Sequence, residues 1–196
     1  MLEKLKHWIQ LKIFYSVYAI QNEQKAHVIS SMKRIGQCPI IENDFRFNGM
    51  KYIEIGNNFY CGRFAWVEAL DNYFNQEFKP SLVIGDNFTM QNNCHIGCVD
   101  SIVIGDNVLL GSKVFITDHL HGHITNRDIQ VPPARRPLSS KPVRIGNNVW
   151  IGDNVSIMPG VNLGNNVIVG ANAVVTKSFM DNVVIAGVPA KVIKVL

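Results

Sequence analysis

The chain has 196 residues and a formal net charge of +4, enough for one domain with a continuous core. That modest positive excess suits a small polyanionic ligand and falls short of a nucleic-acid-binding signature. Four cysteines, Cys38, Cys61, Cys94 and Cys98, make no C-x-x-C pair, and without a recognisable secretory leader the expected setting is a reducing cytoplasm.

Residues 2–20 read as a helix. Leu2, Leu5, Ile9, Ile13, Val17 and Ile20 fall along one face, and Trp8, Phe14, Tyr15 and Tyr18 widen the apolar surface. The apolar part is too short to span a bilayer and contains Lys12. Two roles fit it: a cover over the open end of a repeat structure, or peripheral contact with a membrane surface. Residues 21–50 hold no consistent period. The expected organisation is therefore a helix and capping segment over 1–50, followed by one domain over 51–196.

From Ile53 onward a six-residue period sets in. Ile55, Cys61 and Val67 begin it, with Phe59 and Ala65 as inward companions. Residues 71–80 break the period and read as a protruding loop. Ile84, Met90, Ile96 and Ile102 resume it, and a two-residue slip leads to Ile104, Leu110 and Ile116. A longer interruption covers 118–142. The last run is the clearest: Ile145, Ile151, Ile157, Leu163, Val169 and Val175 recur without a slip.

A helix needs a repeat near 3.6 and a plain strand a repeat of 2, so neither gives this pattern. A period of six implies a solenoid of short strands joined at tight corners, with the aliphatic residue of each hexad pointing inward. Asn147, Asn148, Asn165 and Asn166 fall at the corners, where Asn tolerates a left-handed backbone. The hexads amount to roughly five coils, each ~4.8 Å thick. Cys61 and Cys94 occupy inward positions and read as core residues.

Long loops in compact domains are usually functional, and this one opens on Asp118-His119-Leu120-His121-Gly122-His123. Histidine is the natural base at neutral pH. His119 stands at the loop's rigid root. The alternating spacing of His119, His121 and His123 also admits a metal site, while His121 and His123 equally suit positions facing solvent or an acceptor. His95 lies outside the inward slots and reads as a surface or groove residue.

The stretches Val149-Trp150-Ile151-Gly152, Pro159-Gly160-Val161, Val174-Val175-Thr176-Lys177 and Ala186-Gly187-Val188-Pro189-Ala190-Lys191-Val192-Ile193 resemble the hexapeptide-repeat acyltransferases. The similarity is to their maltose and galactoside O-acetyltransferase branch, near the enzymes of O-antigen, capsule and exopolysaccharide synthesis. The resemblance implies an all-β fold, a left-handed parallel β-helix, here with an N-terminal helical segment and one protruding loop. It implies an acetyl-CoA-dependent O-acetyltransferase acting on a sugar hydroxyl, a homotrimer with its active site between prisms, and no metal. By position it makes His119 the catalytic base and a backbone N–H at Gly152 the oxyanion donor. Trp150, Asp153, Ala171, Thr176, Lys177, Lys191 and Lys194 match cofactor-lining positions. Asn93 matches an acceptor-contacting position, though a plain corner Asn fits it as well, and His121 is a further candidate for contact with the acceptor. Asp118 departs from the small residue that usually precedes the catalytic His; it either orients the imidazole or caps the turn. Two other readings stay open: a metal-dependent lyase like the γ-class carbonic anhydrases, with His95 and the 119–123 histidines as ligands, and a non-catalytic β-helix scaffold.

Overall fold

A computed structural model of the chain describes residues 1–123 and 130–196. Part of the expected long loop, 124–129, lies outside the described residues. After one long helix, Leu2–Ser31, the chain winds into three parallel sheets. The first sheet stacks Arg34–Ile35, Ile53–Ile55, Ser81–Ile84, Ser101–Ile104, Val143–Ile145 and Asn162–Leu163. The third stacks Arg46–Asn48, Trp66–Ala69, His95–Cys98, Phe115–Thr117, Ser156–Ile157 and Val174–Val175. The second runs from Ile40–Ile41 to Val183–Ala186 and is closed by an antiparallel strand, Lys191–Val195.

The first and third sheets are six-stranded, so the solenoid has one coil more than the hexads suggested. The extra coil is the first. Its strands at Arg34–Ile35, Ile40–Ile41 and Arg46–Asn48 pair in parallel with the next coil. The ladder thus begins at Arg34, not Ile53, and the division drawn at 50/51 falls inside the stacked coils.

Burial follows the hexads. Ile55, Cys61, Val67, Met90, Ile96, Leu110, Ile116, Ile151, Ile157 and Val175 are all 0% exposed. Burial pushes the Cys61 thiol up to about 12, so it packs as an inert small apolar group. The two-residue slip has a simple cause. Strands of the first sheet are long enough to alternate, and they send two residues inward: Leu82 with Ile84, Ile102 with Ile104, Val143 with Ile145. A coil with such strands takes 20 residues, whereas the coil between Asn147 and Asn165 takes 18.

The corners hold the coils at one spacing. Asp86 N–H donates to Asp106 Oδ1 at 2.7 Å, Asp106 N–H to Asn147 Oδ1 at 2.7 Å, and Asn147 N–H to Asn165 Oδ1 at 2.8 Å. Beside this file runs a second, in which Asn87 Nδ2 donates to Asn107 Oδ1 at 2.9 Å. Asn87, Asn107, Asn148 and Asn166 have φ of 56°, 57°, 56° and 55°. Asn is well suited here because it tolerates the left-handed region and its amide both donates and accepts.

The helix extends well past residue 20 and does not act as a cover along its first five turns. Residues 2–20 are exposed throughout; contact with the core comes from Val28, Ile29 and Met32 at its end. Among the described residues no helix is long and apolar enough to cross a membrane.

The two interruptions clasp each other. The first forms a hairpin, Asn72–Tyr73 with Gln76–Glu77. The second pairs His119–His121 with Leu138–Ser140. Gln76 joins them: its Nε2 donates to the Leu138 carbonyl at 3.1 Å, and its Oε1 accepts from Leu138 N–H at 2.6 Å.

Candidate active site

The outward slot just before each inward residue of the third sheet carries Arg46, Trp66, His95 and Phe115, in register across four coils. Their rings stack along the coil axis. The Arg46 guanidinium lies 4.4 Å from the Trp66 ring centre, Trp66 and His95 stack at 4.1 Å with 7° between planes, and Phe115 follows at 5.1 Å. Trp66 Nε1–H donates to Glu68 Oε2 at 2.8 Å, and Glu68 Oε1 lies 3.4 Å from His95 Nε2. Burial by itself would raise the Glu68 pKa, but the bonds with His95 and Trp66 outweigh it and hold the carboxyl below its usual range.

His119 sits where this row runs into the long loop. The preceding Asp118 is fully buried. Its carboxylate accepts Val99 N–H at 2.9 Å and Asp100 N–H at 2.8 Å, and its Oδ1 lies 3.0 Å from His119 Nδ1. Thr117 Oγ1 is 3.1 Å from the same nitrogen. A carboxylate at Nδ1 favours the tautomer with the proton there, which leaves the Nε2 lone pair to act as base. Both roles considered for Asp118 are therefore realised: it orients the ring, and it ties down the turn at Val99 and Asp100.

A cleft of about 360 Å³ opens over His119, walled by Trp66, Glu68, His95, Phe115 and Met158, with Leu120 and His121 at its loop side. His121 Nδ1 is held 3.2 Å from the Tyr73 hydroxyl. Gly97 lies close against the His119 and His95 rings. A Cβ there would stand 3.2 Å from His119 Cε1 and 3.5 Å from His95 Nε2. Gly97→Ala should therefore move the imidazole by a few tenths of an ångström and lower turnover roughly tenfold at an unchanged melting temperature. Steady-state kinetics beside a thermal melt checks this; unchanged turnover would mean that the ring position is not critical.

Other expected site residues fall elsewhere. Gly152 N–H donates to the Val169 carbonyl at 2.8 Å, so it belongs to the coil ladder and has no bond left for an oxyanion. Its glycine is explained by packing, since a Cβ would lie 2.7 Å from Ala171 N. Asp153 is a corner acceptor, taking Ser112 N–H at 2.7 Å. Asn93 has φ of 60° and its N–H donates to Arg63 O at 2.8 Å. It is an exposed corner residue and does not line the His119 cleft. Trp150 is 52% exposed on the second sheet, and its outward row continues through Ile168 and Val184 to Lys194. Ala171, Thr176, Lys177 and Lys191 are exposed too. Within one chain none of them meets His119.

Sequence reading overlooked Trp66, Glu68 and Phe115 and left His95 without a role in acetyl transfer. The available signal was the hexad register, which sets Trp66, His95 and Phe115 in the same outward slot on successive coils. Among the described residues no group of three or more His, Cys, Asp or Glu is placed to hold a metal ion.

The parallel β-helix thus carries an imidazole braced by a buried carboxylate at the wall of a cleft, a pair suited to taking up and returning a proton. Residues 142–177 match the protein-family model described as bacterial transferase hexapeptide (six repeats). The chain is 42% identical over 161 residues to WbbJ of Escherichia coli (strain K12), named for O-acetyl transfer in lipopolysaccharide biosynthesis; the match covers 80% of this chain and 79% of that one. It is 40% identical over 133 residues to the galactoside O-acetyltransferase of the same organism, covering 68% of this chain and 62% of the relative. The solved structure of a galactoside acetyltransferase in complex with coenzyme A superposes with a TM-score of 0.60 at 28% identity, covering 89% of this chain and 70% of that one. The chain belongs to the hexapeptide-repeat acetyltransferase family, whose fold is the left-handed β-helix.

Proposed function

We propose that the chain moves an acetyl group from acetyl-CoA to a sugar hydroxyl during surface polysaccharide synthesis, in the cytoplasm, as a homotrimer. The names of the two E. coli relatives support the reaction and the sugar class, and the coenzyme A complex supports the donor. The observation that carries the reading is the Asp118–His119 pair beneath an open cleft.

The donor supplies an acetyl already activated as a thioester. His119 Nε2 takes the proton from the acceptor hydroxyl as its oxygen attacks. Asp118 stabilises the imidazolium that forms, and His119 then delivers the proton to the departing thiolate. Trp150, Ala171, Thr176, Lys177, Lys191 and Lys194 fit the donor's carrier. They are exposed, they include a small residue beside an apolar row, and their lysines offer point charge to phosphates. In one chain none of them lines the His119 cleft, which supports a site completed by a neighbouring prism. Asp153 supplies structure at that edge, and the oxyanion donor is a group other than Gly152. The exposed apolar residues of 2–20 support peripheral contact with a membrane.

The test is acetyl-CoA-dependent thiol release with a panel of galactosides, glucosides and amino-sugar glycosides, beside calorimetry with coenzyme A. Sugar-dependent release with saturable coenzyme A binding is expected. A purified chain that binds no coenzyme A would be a scaffold instead, and sugar-independent metal-dependent activity would point to the lyase.

A further inference from the structure

The two clasped interruptions enclose a second cleft, of about 180 Å³, that acetyl transfer as described above leaves unused. Tyr73, Phe74 and Gln76 line it from the first hairpin, and Arg135 and Arg136 from the limb that leads into Leu138–Ser140. None of its lining residues is acidic, and among the described residues neither arginine has a salt-bridge partner. One guanidinium and the backbone of its neighbour are fixed before any ligand arrives. Arg136 Nε donates to the Val131 carbonyl at 2.9 Å, and Arg135 ends a short helical turn, with its N–H on Pro132 O at 2.8 Å. Guanidinium groups from neighbouring residues favour phosphate oxygens, which they can grip with two parallel bonds each. Next to them the Phe74 ring is 72% exposed.

This cleft adjoins the His119 cleft through one pair of side chains. The Tyr73 hydroxyl meets His121 Nδ1 at 3.2 Å, and the Tyr73 ring packs edge-on against Phe74 at 4.7 Å. His121 stands two extended residues from His119, or ~7 Å along the strand. A sugar ring lying over His119 with its anomeric carbon on the His121 side would carry its anomeric substituent toward Arg135 and Arg136.

We infer that the arginine cleft binds a diphosphate, and that the acceptor is a sugar diphosphate rather than finished polymer. The inference rests on the reading of His119 as the acetyl-transfer base. Diphosphate occurs in sugars carried on a nucleoside and in sugars carried on a polyprenol. Phe74 serves either, as a stacking surface for a base or as apolar contact for a prenyl chain.

Calorimetry on the full chain separates these outcomes, with inorganic pyrophosphate, UDP, farnesyl diphosphate and coenzyme A as probes. The wild type should bind pyrophosphate and at least one organic diphosphate, with saturating coenzyme A leaving that affinity intact. The double variant Arg135→Ala/Arg136→Ala should lose tenfold or more for diphosphates and keep its coenzyme A affinity. UDP binding that falls in Phe74→Ala identifies a nucleotide carrier; farnesyl diphosphate binding without UDP binding identifies a lipid one. Should the double variant melt early, the exposed Arg135→Ala alone replaces it. The inference is overturned if the wild type binds no diphosphate, if the variants bind as well as the wild type, or if coenzyme A competes with UDP or loses affinity with the arginines. His119→Ala should retain diphosphate binding, so an error in the assignment of the base would show separately, as turnover that survives that substitution.

Discussion

His119→Ala should lower the acetylation rate by roughly 10²–10⁴, the usual worth of a general base, while coenzyme A affinity stays near that of the wild type. Three imidazoles line the cleft, and their surroundings separate them. His121 is held by a neutral phenol hydroxyl, which gives little help to the positive charge that a base acquires. His95 is stacked between Trp66 and Phe115, and its Nε2 is turned to Glu68 at 3.4 Å. His119 has a carboxylate at 3.0 Å from Nδ1, itself fixed by backbone donors. That arrangement leaves the other ring nitrogen for the acceptor. Rate measurements on single alanine variants at all three positions decide the matter. A fully active His119→Ala protein beside an inactive His121→Ala or His95→Ala protein would transfer the role of base to that residue.

The coil was legible because each hexad repeats one inward aliphatic residue, and repetition survives the two insertions. The first coil escaped notice because Ile35, Ile41 and Phe47 keep the period amid polar neighbours, with a helix running directly into them. That helix reaches Ser31 because residues 21–31 accept helical geometry without an apolar stripe, and only Val28 becomes buried. That His119 would face a cleft was legible from its place at the root of a loop. The stacked row of Trp66, His95 and Phe115 was not, since its members meet only when successive coils are laid in register. Gly152 was misplaced for a related reason. Which way a backbone N–H points is set by the ladder, and here the ladder aims it at Val169. The lysines and Trp150 are exposed on the surface of the prism, and in the proposed reading their role depends on a neighbouring copy, which one chain's spacing does not register.

Ile151→Asp should prevent folding, whereas Trp150→Asp in the adjacent position should leave a folded prism. Ile151 is 0% exposed between Leu110 and Val169 of the neighbouring coils, and no donor lies among those side chains to pair a carboxylate. An unpaired buried charge costs several kcal/mol even after relaxation. A domain's whole margin is ~5–15 kcal/mol. The damage is not confined to one site, because each inward side chain rests on its counterparts above and below, so a displaced residue loosens three coils at once. Trp150 points outward from the same two-residue strand, and Asp there meets water. Ile151→Val, which removes one methylene, should cost only ~0.5–1.5 kcal/mol. Soluble yield, circular dichroism and thermal melts of the three variants test the inward-outward alternation directly. An Ile151→Asp protein that melts like the wild type would mean that this residue faces solvent, and the hexad register would have to be abandoned.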